Sequence, residues 1–87
     1  IYPIDRETIR ESVRKTGRML VVAEAYESFS VGSVLIAISY EEAFLYLEAP
    51  PRRLMGFDTI VPLAQGEPYF MISPERIFYE IEKSVQF

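Results

Sequence analysis

The chain opens on a polar segment with a thin apolar stripe. Between residues 5 and 16 the inward-type positions are essentially Ile9 and Val13, one helical turn apart. That spacing predicts a helix over 5–16 lying on the surface of a sheet. Asp5 stands at a good N-cap position, and Ile4 and Ile9 sit where a hydrophobic staple would close. Glu7 and Glu11 suit the N-terminal half, and Arg14, Lys15 and Arg18 suit the C-terminal end, by the sign of the helix dipole. Glu11 and Lys15 form an i,i+4 pair, and Gly17 supplies the stop.

The pattern then changes. Met19-Leu20-Val21-Val22-Ala23 is apolar without alternation, as expected of a parallel strand buried on both faces. Glu24 falls at its carboxyl end, and Ala25–Ser30 reads as a loop holding Tyr26 and Phe29. The run Val34–Ile38 would suit a strand if read alone. Ser39–Glu48 continues it without a break, which predicts a helix over 32–47 with Val34, Leu35, Ile38, Glu42 and Leu45 on one face. Pro50-Pro51 ends it. Arg52–Gly56 reads as a second strand, and 57–73, with Pro62, Gly66 and Pro68, as a long irregular segment. Ser73-Pro74 opens a last helix, in which Ile77, Ile81 and Val85 recur every four residues beside Phe78. The order α-β-α-β-α implies an α/β fold with a parallel sheet and crossover helices. Two strands make a poor sheet, so further strands are expected upstream.

Composition narrows the chemistry. The 87 residues suffice for one domain or part of one. There is no cysteine and no histidine, which removes disulfides, thiolate metal sites, the commonest metal ligands and the usual general base near neutral pH. The lack of cysteine fits an intracellular protein. Net charge is −4 with both signs interspersed, not the clustered basic stripe of a nucleic-acid surface. The run Val34–Ile38 falls far short of the roughly 20 residues a membrane span needs. The chain starts at Ile1 rather than Met and reads as cut from something longer.

Few polar residues invite a functional assignment. Glu24, at a strand end, occupies the place where open α/β sheets gather functional groups, although a solvated carboxylate explains it more simply. Glu41 and Glu42 point about 100° apart on a helix; they make a solvated face rather than a catalytic pair. Asp58-Thr59 suits a site and a capped turn equally. Arg52 and Arg53 suit an acidic partner, or a charged strand edge that resists aggregation. Tyr69-Phe70-Met71-Ile72 is apolar within a loop, and either covers the core or packs on another subunit. Gly32-Ser33 reads as ordinary capping rather than an anion site. No Gly-rich phosphate cradle, Mg-binding Asp/Asn pair or nucleophile constellation is present.

Several stretches in sequence order resemble one family. They are Ile1-Tyr2-Pro3-Ile4-Asp5; Glu11-Ser12-Val13-Arg14-Lys15-Thr16-Gly17-Arg18; Leu20-Val21-Val22 with Glu24-Ala25; Glu41-Glu42-Ala43-Phe44 with Leu47-Glu48-Ala49-Pro50; Arg53 and Gly56 with Asp58-Thr59 and Pro62; and Ser73-Pro74-Glu75-Arg76-Ile77. Together they resemble the C-terminal domain of the beta subunit of pyruvate and branched-chain 2-oxoacid dehydrogenases, a relative of the transketolase C-terminal domain. Leu47–Pro50 and Gly56–Thr59 lean towards the branched-chain type. The chain departs from the family at Phe29–Val34, where only Gly32 of a Gly-rich stretch remains, at Ile60, where proline is usual, and at Ala23, where histidine is frequent.

The resemblance implies a three-layer domain with a mainly parallel sheet, here without its first strands, so that about two strands and three helices remain. It implies a cytoplasmic parent enzyme, or a mitochondrial-matrix one in a eukaryote, that oxidatively decarboxylates a 2-oxoacid on thiamine diphosphate and Mg and passes the acyl group to lipoamide. The cofactor would lie between the alpha subunit and the N-terminal domain of the beta subunit, leaving no catalytic, cofactor or metal residue in these 87. The implied role is non-catalytic: assembly with the alpha subunit and a second beta subunit, and docking of the dihydrolipoyl acyltransferase. The candidate contact residues are Glu24, Tyr26, Phe29 and Arg53, with Asp58, Tyr69 and Phe70 further on. The alternatives are a stand-alone interaction module of the same fold, or the equivalent domain of another transketolase relative such as a deoxyxylulose-phosphate synthase.

Overall fold

A computed structural model describes residues 2–57 and 72–87. The first helix, α1, spans Arg6–Thr16 and is built at both ends as its sequence requires. The Asp5 carboxylate accepts the Thr8 backbone N–H at 3.0 Å and the Thr8 hydroxyl at 2.6 Å. At the other end Gly17 adopts φ 73°, and its N–H reaches the Val13 carbonyl at 2.7 Å. The left-handed backbone demands glycine there, and a Cβ, 2.8 Å from Glu48 Cγ, would in addition push the Glu48 side chain aside. The expected Glu11–Lys15 pair is replaced: the Glu11 carboxylate sits 3.5 Å from Arg10 and 3.8 Å from Arg14.

Strand β1 runs Leu20–Tyr26 and pairs in parallel with β2, Arg52–Gly56. The register sets Leu20 opposite Arg52, Val21 opposite Arg53 and Val22 opposite Leu54, then breaks before Tyr26 meets Gly56. β1 is therefore longer than its apolar run. Glu24 lies inside the strand rather than at its end, and Ala25 and Tyr26 belong to it rather than to a loop. Pairing continues past the irregularity, and just beyond it the Gly56 carbonyl accepts the Glu27 N–H at 3.1 Å.

Helix α2 (Val31–Ala43) is followed by a 3-10 turn at Phe44–Tyr46, so the α-helix ends four residues before the expected 47. Helix α3 covers Pro74–Gln86, with the Ser73 hydroxyl accepting the Arg76 N–H at 3.3 Å. Side chains alternate across a strand, and that alternation shows a helix on each face of the sheet. Arg53 reaches Ser33 of α2, and Met55 packs so close to Gly32 that a Cβ there would collide with its sulfur. On the opposite face Arg52 pairs with Glu80 of α3 at 2.6 Å. The result is α/β with three layers, as expected.

Among the described residues the buried apolar set is small: Val13, Val21, Ile38, Ala43, Ala49, Leu54 and Met55. Leu54 and Met55 are adjacent and both buried, so β2 is covered on both faces. β1 is not: Val22 is 44% exposed, against the expectation of two buried faces. The faces of two helices also differ from expectation. In α2, Ile38 is buried while Val34 is exposed, and Leu45, in the turn that follows, is exposed too. The inward positions are instead Gly32, Ile38, Ser39 and Ala43, mostly small residues that let the helix approach its neighbours closely. In α3 the more buried positions are Ile77, Glu80 and Ser84, while Ile81 and Val85 are partly exposed and line a cleft beside Met19 and Leu20. No helix among the described residues is long and apolar enough to cross a membrane.

Candidate functional site

Tyr26 and Phe29 stand at and just beyond the carboxyl end of β1, and the side chain of Arg53, the second residue of β2, reaches the same loop. Arg53 organises that loop. Its guanidinium donates to the Glu27 carbonyl at 2.9 Å and to the Ser33 hydroxyl, and lies 4.0 Å from the Glu27 carboxylate. It ties β2 to the β1–α2 loop and to the first turn of α2. Ser30 belongs to the same loop, with its hydroxyl 3.3 Å from the Glu27 carbonyl and 3.3 Å from the Met55 sulfur. On this braced loop Phe29 takes φ 54°, a conformation uncommon for a large side chain, and is fully exposed. Tyr26 stands beside it at the end of β1, half exposed, and Glu24 is exposed in the strand. Asp58, Tyr69 and Phe70, and the expected irregular segment 57–73 except for its ends, lie outside the described residues.

Charges on this chain are largely matched within it. Arg6, at the start of α1, reaches Glu42 at 3.0 Å and Glu41 at 2.5 Å. Glu41 and Glu42 are thus one clamp between α1 and α2, not merely a solvated face. Glu41 first and Glu42 second hold the Arg6 guanidinium above its ordinary pKa. The Thr8 hydroxyl and then the Thr8 N–H hold the Asp5 carboxyl below the usual carboxylate value. Both shifts arise from structural hydrogen bonds. Arg18 donates to the Ser84 carbonyl at 2.9 Å and pairs with Glu48 at 2.8 Å, joining the end of α1, the segment before β2 and α3. Arg52 and Arg53 are half-buried and engaged inside the chain rather than lining an open strand edge. These pairings span between 20 and 66 residues of sequence, so no local pattern could have revealed them.

Apolar surface is the opposite case. A shallow groove is lined by Tyr40, Phe44, Leu45, Leu47, Pro50 and Phe87. Leu45 is 90% exposed and Phe87 is 76% exposed. No local sequence pattern marks this groove, because it is assembled from the end of α2, the 3-10 turn, the segment before β2 and Phe87. Such contiguous apolar surface, among charges already paired, suits contact with another protein surface.

Thiamine diphosphate and Mg would need converging oxygen ligands and a phosphate cradle. Among the described residues no group of three His, Cys, Asp or Glu side chains is placed to hold a metal ion. At the start of α2 the Ser33 hydroxyl is taken by Arg53. These residues do not fit the cofactor, and no chemical step is assigned to them.

Comparison with known proteins agrees with the architecture. Residues 1–77 match the family model described as transketolase, C-terminal domain. The chain is 51% identical over 83 residues to the pyruvate dehydrogenase E1 component subunit beta of Acholeplasma laidlawii, covering 95% of this chain and 25% of that protein. It is 41% identical over 87 residues to the protein of the same name from Leifsonia xyli, covering 100% of this chain and 26% of the relative. The Staphylococcus aureus protein of that name is 39% identical over 87 residues, covering 100% and 27%. The chain thus spans about a quarter of the length of these relatives. With helices on both faces of a parallel sheet and a family match over nearly its whole length, the chain belongs to the transketolase C-terminal domain family.

Proposed function

We propose that this chain is the C-terminal domain of a pyruvate dehydrogenase E1 component subunit beta and that its role there is assembly rather than chemistry. The observation that carries the assembly role is the contrast in its surface. Arginines at positions 6, 18, 52 and 53 are matched inside the chain, whereas large apolar side chains such as Phe29, Phe44, Leu45 and Phe87 stand open. Apolar surface of that kind is unfavourable in water, and free energy is released when another surface covers it. The names of the relatives support pyruvate as the substrate class. They give no support to the branched-chain leaning of Leu47–Pro50 and Gly56–Thr59.

In this reading the parent enzyme carries thiamine diphosphate and Mg outside these residues, and works in the cytoplasm or, in a eukaryote, the mitochondrial matrix. The apolar groove and the loop bearing Phe29 meet the alpha subunit, a second beta subunit or the dihydrolipoyl acyltransferase. The exposed side of β1 takes further strands of the same polypeptide. The test is to purify the source polypeptide under native conditions and assay it. The expected result is co-purification of a distinct alpha subunit and decarboxylation of pyruvate that requires thiamine diphosphate. A polypeptide that purifies alone and decarboxylates no 2-oxoacid would overturn the proposal. Preference for branched-chain 2-oxoacids would overturn its substrate.

A further inference from the structure

We draw no further inference here: the strongest candidate, the loop between β1 and α2 that Arg53 braces and on which Phe29 stands exposed at φ 54°, carries nothing beyond the assembly reading, because in a chain spanning about a quarter of its relatives' length nothing in the structure shows what covers it.

Discussion

Asp5 shows how much a single residue can make legible. Its place before the helix marked it as an N-cap, and the carboxylate indeed accepts both the hydroxyl and the N–H of Thr8. Because those bonds favour the ionised form, the folded-state pKa lies below the ordinary 3.8. The stability that Asp5 contributes is therefore fully present above the unfolded pKa and is lost as pH falls through the lower folded value. Asp5→Ala is expected to lower the melting temperature at pH 7. The gap between the two proteins should close as thermal unfolding is followed from about pH 5 down to pH 2. A gap independent of pH would show that the cap acts without its charge. Arg6, the next residue, was opaque for the converse reason. Its partners, Glu41 and Glu42, lie 35 and 36 positions away, and adjacent glutamates on a helix look solvated until the fold brings a cation to them.

At the scale of elements, legibility followed the clarity of the signal. The bounds of the strand Arg52–Gly56 are legible because Pro50-Pro51 fences it on one side. Helix α3 was placed by Ser73-Pro74. The packing face of α2 could not be read. Its first half is apolar on all sides, and the positions that meet the rest of the fold are small ones, Gly32, Ser39 and Ala43, which no hydrophobic period marks. Ile38 is the exception, at 2% exposure. Ile38→Ala is expected to cost about 2–4 kcal/mol in denaturant unfolding, whereas Val34→Ala, on the exposed side, should change little. Similar costs for both would mean that the helix is rotated from the orientation described. The Arg52–Glu80 pair joins β2 to α3, with Glu80 the more buried partner at 18% side-chain exposure. Removing either side chain alone, as Arg52→Met or Glu80→Leu, should cost about 1–3 kcal/mol, because the remaining charge loses its partner. The double variant should recover much of that, giving a coupling of about 1 kcal/mol in a double-mutant cycle. Strict additivity would mean that the two groups do not sense each other.

For the whole molecule, the unsettled surface is more informative than the core. The family was legible from ordered stretches such as Glu11–Arg18 and Leu47–Pro50, and the α/β class from the order of elements. The contact surface was legible only in part. Phe29 and Tyr26 are legible because the sequence predicts a loop holding both, although Tyr26 ends β1 instead. The groove of Tyr40, Phe44, Leu45 and Phe87 is not, because it joins residues up to 47 positions apart, from Tyr40 to Phe87. If this domain serves assembly, exposed apolar residues there should matter to association and not to folding. Native mass spectrometry of the polypeptide purified from its source, comparing the wild type with Leu45→Asp, tests this most directly. The expected spectrum for the wild type is a complex containing a second, distinct subunit. Leu45→Asp should dissociate that complex while leaving the melting temperature of the separated chain unchanged. A wild-type polypeptide that flies alone, or a complex indifferent to a carboxylate at position 45, would contradict an assembly role for this surface.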